Sequence, residues 1–336
     1  MDEAPTPRAR SADRSDPQIG TPPPSWGRRQ RRRLKWPLIV AIVAILVAAG
    51  HAGSLLHAKQ PGSQTPTVQP VPLLGQTVRP APPGGQTLLP FAFLTSPEGV
   101  AVDSVGNVYV AAAGTGRVWE LAPGSTGPTE LPFTDLGNPS GVAVDAAGTV
   151  YVFDVGNNRV LKLAAGSSSP TVLPFTGLNS PLNRPYGVAV DTVGNIYATD
   201  GANRVLKLAA GSSSPTVLPF TGLSSPSGVA VDAAGVYVTD SGNNRVLKLA
   251  ADANTPTALP FTDLSNPTGV AVDTAGNLYV VDRGNDRVVK LAAGSTTPTA
   301  LQFMGLKQPE GVAVDSAGNL YVTDVLNNRV LELAVG

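Results

Sequence analysis

The stretch Gly269–Leu291, GVAVDTAGNLYVVDRGNDRVVKL, contains three short runs rich in β-branched and aromatic residues. Glycine, asparagine, aspartate and arginine separate these runs, and such boundaries are typical of strands joined by tight turns. A fourth run, PTALQF at residues 298–303, follows shortly afterwards. The stretch therefore predicts a unit of four strands, which we call a to d, with strand a in GVAVD.

The string GVAVD recurs without change along the chain. Its six copies begin at Gly99, Gly141, Gly187, Gly228, Gly269 and Gly311, at intervals of 41 to 46 residues. Copies at a fixed period indicate an array of identical supersecondary units. Four strands make one propeller blade, so the six copies predict an all-β, six-bladed β-propeller over residues 86–336.

The two ends of this array complement each other. The last copy stops at RVLELAVG and lacks strand d, whereas QTLLPF, at Gln86–Phe91, precedes the first GVAVD and resembles the strand d run TVLPF at residues 171–175. We therefore expect the N-terminal strand to complete the sixth blade and close the ring, which leaves no open sheet edge.

Charge and composition divide the chain in two. Residues 1–85 carry 11 Lys or Arg against 4 Asp or Glu, while residues 86–336 carry 13 against 20. The acidic propeller lacks the basic surface that phosphate binding requires, so nucleic acid is not expected as a partner. The chain has no cysteine, which excludes disulfides and thiolate chemistry.

The N-terminal part has the pattern of a membrane anchor. Residues 1–35 form a proline- and arginine-rich tail that is predicted to be disordered, and its last eight residues, Arg28–Lys35, are mostly basic. The apolar run Trp36–Leu56 follows, and as a helix it would span roughly 31 Å. The positive flank predicts a single-pass signal anchor over residues 36–57, with a cytoplasmic N-terminus and an extracytoplasmic propeller at the cell membrane.

A cleaved signal peptide is the alternative, because the most apolar part, Leu38–Ala49, has only 12 residues. The long leader before it favours an anchor that is retained. The chain's two histidines, His51 and His57, lie in or beside this run and are expected to be interfacial. Residues 58–85 are rich in proline and are predicted to form an extended stalk.

The pattern D-x-x-GN-x-YV-x-D-x-GNNRV, as in Asp273–Val288 and Asp315–Val330, resembles NHL repeats. The segment LKLAAGSSSPTVLPFTGL, at residues 161–178, is similar to the extracellular sensor propeller of mycobacterial-type receptor Ser/Thr protein kinases. Those kinases carry a catalytic domain before the membrane helix, whereas only 35 residues precede it here and no histidine precedes His51 for an HRD loop. The resemblance implies a sensor-like propeller without the kinase domain.

The motif D-x-GNNRV has two interpretations. Its aspartates could form a carboxylate ring for a cation and its arginines could bind anions, or both could shape a tight turn in each blade, with the arginine paired to a carboxylate between blades. A single site does not need five or six copies, so the repetition favours the structural interpretation. The aspartates are Asp154, Asp200, Asp240, Asp282 and Asp324, and the arginines are Arg159, Arg204, Arg245, Arg287 and Arg329.

Functional residues are expected where the copies differ, on the top face, which we define as the end of the ring at which each strand a begins. The variable residue before each GVAVD glycine is predicted to ring the mouth of the central channel there: Glu98, Ser140, Tyr186, Ser227, Thr268 and Glu310. Further candidates on this face are Arg283, Phe153 and Arg184. The alternative is that all of these are ordinary solvated loop residues.

Glu98 and Glu310 fall in adjacent blades and Tyr186 is expected roughly opposite them, and a carboxylate pair that faces an aromatic ring could bind a cationic or peptide ligand. The leading interpretation is a non-catalytic module that binds a peptide, protein or cell-wall ligand and has no cofactor. One alternative is an accessory subunit for a related receptor kinase. Another is a calcium-dependent hydrolase or lactonase that binds calcium through Glu98, Glu310 and backbone carbonyls. The absence of histidine from residues 86–336 argues against catalysis.

Overall fold

A computed structural model describes residues 85–178 and 187–334 of the chain. These residues form six four-stranded antiparallel sheets, and the innermost strands of successive sheets contact each other around a ring. The predicted six-bladed, all-β architecture is therefore confirmed. The predicted tail, membrane helix and stalk lie outside the described residues, and within those residues no helix has the length and apolar character needed to cross a membrane.

The strands are numbered in chain order, and each of the first five blades uses four consecutive strands. Blade 1 comprises β2 (Pro97–Val102), β3 (Val108–Ala112), β4 (Arg117–Leu121) and β5 (Thr129–Glu130). Blade 2 comprises β6 (Pro139–Val144), β7 (Val150–Asp154), β8 (Arg159–Leu163) and β9 (Thr171–Val172). Blade 3 comprises β10 (Val188–Val190), β11 (Ile196–Asp200), β12 (Arg204–Leu208) and β13 (Thr216–Val217). Blade 4 comprises β14 (Pro226–Asp232), β15 (Gly235–Asp240), β16 (Arg245–Ala250) and β17 (Thr257–Ala258). Blade 5 comprises β18 (Pro267–Val272), β19 (Leu278–Asp282), β20 (Arg287–Leu291) and β21 (Thr299–Ala300).

Blade 6 combines the two ends of the propeller. It comprises β22 (Pro309–Val314), β23 (Leu320–Asp324), β24 (Arg329–Leu333) and β1 (Gln86–Leu88), and β1 pairs with β24 in the antiparallel register Gln86↔Leu333. The predicted closure is confirmed, although β1 and the other outermost strands are shorter than the sequence runs suggested. Gln86 lies at the bottom of the ring, opposite the top face, because β24 ends there.

The hydrophobic core lies between blades. Each of the six core clusters combines residues from two adjacent blades, such as Tyr109 and Val118 of blade 1 with Val152 and Leu161 of blade 2. The second strand of each blade is buried on both faces, because it packs against a neighbouring blade on either side. Valine and other β-branched residues suit such strands, and their burial supplies most of the stabilisation.

The glycine of GVAVD permits the inner strands to meet. A Cβ atom on Gly311 would lie 2.5 Å from the carbonyl oxygen of Glu98 in blade 1, and one on Gly269 would lie 2.6 Å from that of Glu310. Such distances are far shorter than real Cβ contacts, so glycine is required at this position. Thr323 Oγ1 strengthens the interface between blades 6 and 1 by donating a hydrogen bond of 2.8 Å to the Glu98 carbonyl oxygen.

The D-x-GNNRV motif forms a tight turn after the second strand. In blade 5, Asp282 is fully buried and accepts hydrogen bonds from Arg287 Nε at 2.6 Å, Asn285 Nδ2 at 2.8 Å and the Ser265 amide at 2.7 Å. Arg287 also donates to the carbonyl oxygen of Asp263. The structural interpretation is confirmed, but each arginine pairs with the aspartate of its own blade, so the expected pairing between blades is wrong.

Blade 1 departs from this turn. Ala112 stands where the other blades carry the aspartate, and Gly116 takes the left-handed position with a φ of 63°. Arg117, which has no aspartate to bind in its own turn, forms an ion pair with Glu130 on the outer strand instead. This ion pair is exposed and contributes little to stability.

Candidate functional site

The residues predicted to ring the channel mouth begin the innermost strands, but the structure buries most of them. The exposed fractions of Ser140, Ser227, Thr268 and Glu310 are 1%, 7%, 3% and 5%. Glu98 is half-buried. For Ser140, Ser227, Thr268 and Glu310 the interpretation as ordinary solvated loop residues is therefore wrong.

Three other candidates are placed differently or lie outside the described residues. Phe153 is fully buried in β7 and packs in the core with Val155 and Val160, so its assignment to the ligand-binding face is wrong. Arg184 and Tyr186 lie outside the described residues.

One group of candidates is brought together at the top face, where blades 5, 6 and 1 meet. Arg283, in the short 3₁₀ helix Arg283–Asn285 after β19, reaches the start of blade 6, where its Nε lies 2.9 Å from Glu310 Oε2. Its Nη2 donates a hydrogen bond of 2.9 Å to Gln308 Oε1. Glu98 interacts electrostatically with both Arg283 and Glu310. We call Glu98 and Glu310 the acidic pair, and Arg283 its arginine.

Sequence reasoning missed Gln308. It stands where the other described blades carry serine or asparagine, and this difference is the signal that could have identified it. Its backbone adopts a left-handed conformation with a φ of 48°, and its backbone N–H donates a hydrogen bond to Asp286 Oδ1 of blade 5. Gln308 thereby helps to hold Arg283 against Glu310.

Burial raises the pKa of both carboxyl groups. Desolvation raises the pKa of Glu98 to about 7, and the nearby Arg283 opposes this rise. Desolvation also raises the pKa of Glu310 to about 8, where Arg283 opposes the rise and the negative charge of Glu98 adds to it. A buried site with two carboxyl groups and one guanidinium favours the retention of a proton near neutral pH.

Three buried atoms of this group lack hydrogen bonds from any residue that the structure describes. They are Glu98 Oε2, Glu310 Oε1 and Arg283 Nε. Arg283 Nε forms an ion pair with Glu310 Oε2 at 2.9 Å, but the two atoms do not have the geometry of a hydrogen bond. Buried polar atoms are nearly always satisfied in folded proteins, and exceptions often mark functional sites. Among the residues that the structure describes, Trp119 Nε1 in blade 1 is a further buried atom of this kind.

The central channel has a different character from the acidic pair. It encloses about 180 Å³ and is lined by valine and alanine residues of the innermost strands, such as Val100, Ala101 and Val102. Such a lining offers no nucleophile, acid or base. In the described part of the chain, no three acidic or histidine side chains are grouped as a metal ion would require.

A second pocket, of about 410 Å³, lies between blades 1 and 2 and includes Asp103, Tyr109 and Glu120. In blades 2 to 5 a lysine occupies the position of Glu120, as Lys248 does with its Nζ 5.1 Å from the centre of the Tyr237 ring. In blade 1 the glutamate is unfavourable there: burial, followed by the charge of Asp103, raises the pKa of Glu120.

Comparison with known proteins agrees with the repeat geometry. The NHL repeat matches residues 136–163, 223–249, 264–291 and 306–333, which fall in blades 2, 4, 5 and 6. Four of the six blades are NHL repeats.

The NHL propeller is also similar to part of a kinase. The serine/threonine-protein kinase PknD of Mycobacterium tuberculosis, in strains CDC 1551 / Oshkosh and ATCC 25618 / H37Rv, is 51% identical to this chain over 100 residues. The aligned segment is 29% of this chain and 13% of the kinase, so it covers a small part of that relative.

Solved structures share the fold of the NHL propeller. A gluconolactonase from Xanthomonas campestris has a TM-score of 0.63 at 18% identity and covers 76% of this chain and 92% of its own. A protein in the nidogen/laminin complex has a TM-score of 0.58 at 22% identity and covers 65% and 84%. A streptogramin B lyase has a TM-score of 0.58 at 16% identity and covers 75% and 97%. At these identities the likeness establishes the fold alone.

Proposed function

We propose that the NHL propeller is a non-catalytic binding module whose top face takes a peptide, protein or cell-wall ligand at the acidic pair and its arginine. The observation that carries this proposal is the presence beside Arg283 of two buried oxygens, Glu98 Oε2 and Glu310 Oε1, that accept no hydrogen bond from the described residues. These residues lie on the face where the blades differ from one another, whereas the aspartates and arginines that repeat are used in turns. A ligand that pairs with the free atoms would remove their desolvation cost.

The proposal includes a membrane anchor. The apolar run Trp36–Leu56 and its basic flank support a single-pass helix, with the propeller on the outer side of the cell membrane. The identity with part of kinase PknD supports a sensor or scaffold role of the same kind. Gln86 lies at the bottom of the ring, at the end opposite the acidic pair.

A second function is favoured by the same kinase relationship. The propeller would act as an accessory subunit that associates with a receptor Ser/Thr kinase through a similar propeller. Co-purification of such a kinase with the full chain, lost when the propeller is removed, would favour this function. A calcium-dependent hydrolase has weaker support, because calcium takes 6–8 oxygen ligands and Arg283 would repel it beside Glu310.

A thermal-shift screen of the full chain in detergent micelles tests the binding proposal. Peptide libraries, cell-wall fragments and calcium chloride are the probes, and the Glu98→Ala/Glu310→Ala double variant is compared with Asp252→Ala, which changes an exposed aspartate in a turn of blade 4. We expect at least one peptide or cell-wall probe to raise the Tm of the wild type and of Asp252→Ala but not of the double variant. An equal shift in all three proteins would place the ligand elsewhere.

A further inference from the structure

The acidic pair has two open hydrogen-bond acceptors. Arg283 lies against Glu310 Oε2, which leaves Glu310 Oε1 and Glu98 Oε2 without donors among the described residues. The side chain of Glu310 is only 6% exposed, so water has little access to its free oxygen. Because an ionised carboxylate is acceptor-only, these two oxygens can take donors in addition to Arg283 and the Thr268 hydroxyl, which interact with the Glu310 carboxyl group.

The charges around the pair also lack balance. Among the described residues, one guanidinium, that of Arg283, faces the two carboxyl groups, while the polar neighbours Gln308 and Thr268 are neutral. If both carboxyl groups were ionised, the buried group would carry one uncompensated negative charge, which is costly in a medium of low dielectric constant. The pair therefore requires one further positive charge, and in the absence of a ligand a proton meets that need.

We infer that Glu98 and Glu310 form a receptor for one primary ammonium group of the ligand, which enters as the proton held by the pair leaves to solvent. This inference rests on the proposed binding function and specifies the chemistry of its ligand. The complex then contains two carboxylates, one guanidinium and one ammonium, so that the four charges cancel. Two of the three ammonium N–H groups donate to Glu98 Oε2 and Glu310 Oε1.

Other cations fit this geometry less well. Calcium requires more oxygen ligands than the pair offers and carries a second charge that Arg283 repels. A quaternary ammonium ion has no N–H group, so it would leave both oxygens unpaired. A primary ammonium group supplies both the single charge and the donors.

The exchange of a proton for the ammonium group predicts a pH dependence. Since burial holds the pKa of Glu310 at about 8 and that of Glu98 at about 7, the free pair binds a proton at neutral pH, with Arg283 as the charged group that faces both. The affinity for an ammonium ion should therefore rise with pH up to about pH 8. Below that value the rise is at most about tenfold per pH unit for each proton released.

Isothermal titration calorimetry of the full chain in detergent micelles tests the inference, with n-butylammonium chloride as the probe. Titrations at pH 6, 7 and 8, in buffers of different ionisation enthalpy, give the affinity and the number of protons released. Tetramethylammonium and calcium chloride are the control ions. Lysine with a blocked α-amine and alanine amide then distinguish a side-chain ammonium from an α-ammonium group.

We expect n-butylammonium to bind at least tenfold more tightly at pH 8 than at pH 6, with release of about one proton at pH 7. Glu310→Gln and Glu98→Gln should each weaken this binding at least tenfold at pH 8, whereas Asp252→Asn, which removes an equal charge from an exposed turn, should not change it. If Glu310→Gln does not fold, Glu98→Gln alone decides. Tetramethylammonium and calcium should bind at least tenfold more weakly than n-butylammonium.

Three results would overturn the inference: no binding of n-butylammonium, equal binding to the glutamine variants, or binding without proton release. The outcome is distinguishable from failure of the proposed function. If a peptide or cell-wall probe still depends on Glu98 and Glu310 in the thermal-shift screen, the binding function holds and only the ammonium chemistry fails.

Discussion

The substitution Asp154→Ala removes the centre of the turn in blade 2. Asp154 Oδ1 accepts hydrogen bonds from the amides of Gly137 at 2.8 Å and Asn138 at 3.3 Å. Its Oδ2 accepts from Asn157 Nδ2 at 2.7 Å and Arg159 Nε at 2.8 Å. Alanine leaves all four donors without their acceptor, and a methyl group does not replace any of these bonds.

The expected cost is about 3 kcal/mol of unfolding free energy, at the lower end of the range for removing one partner of a buried ion pair. The lower end applies because the Arg159 side chain is 27% exposed and its Nη2 keeps its bond to the Asp135 carbonyl oxygen, so water can solvate part of the unpaired charge. For a domain of this size each kcal/mol lowers the Tm by about 2–4 °C, which gives a fall of about 6–12 °C.

Thermal melting followed by circular dichroism checks this value, with Asp252→Ala as the matched control because Asp252 is exposed in a turn. We expect the control to melt within about 1 °C of the wild type, as surface substitutions commonly do. If Asp154→Ala also melted within about 2 °C of the wild type, the structural role of the repeated aspartates would be refuted. A ring of carboxylates that binds a cation would then regain support.

Three other predictions use the same melting assay. Burial raises the pKa of Glu98 from 4.5 to about 7 and that of Glu310 from 4.5 to about 8, so the contribution of these groups to stability is greatest at low pH and falls as the pH rises through these values. The Tm of a Glu98→Gln/Glu310→Gln variant, relative to that of the wild type, should therefore increase between pH 5 and pH 8. A Tm difference that does not change with pH would contradict the buried pair. Deletion of residues 86–91 removes β1 and exposes the edge of β24, so it should lower the Tm by several degrees and promote aggregation, which light scattering detects. A deletion variant that melts like the intact chain would contradict the closure of the ring by β1. Glu120→Lys should place an ammonium group over the Tyr109 ring, as in blades 2 to 5, and raise the Tm by about 1–4 °C; a fall would show that blade 1 does not accept the common arrangement.

The repeats made the architecture predictable from sequence. Six identical GVAVD strings set the number of blades, and the missing last strand together with Gln86–Phe91 gave the closure. The sequence also separated repeated turn residues from variable ones, because a structural role recurs in each blade whereas a site is used once.

Burial could not be read from the same pattern. Phe153 lies in β7, whose five residues are all buried because a blade packs against each face of that strand. Because β7 is buried on both faces, its sequence does not alternate between apolar and polar residues, and the pattern could not show that Phe153 belongs to the core. The contact of Arg283 with Glu310 was also not predictable, since it depends on how far the turn of blade 5 reaches over the first residues of blade 6.

The position of the acidic pair links ligand binding to ring closure. Glu310 begins the innermost strand of blade 6 and Glu98 that of blade 1, so a ligand that binds both joins these two blades at the top face. β1 joins the same two blades, because it completes the outer edge of blade 6 and leads through residues 89–96 to the first strand of blade 1. A ligand at 100 times its Kd would add about 2.7 kcal/mol to the stability of the closed ring. It would therefore act on the interface that the N-terminal strand holds together.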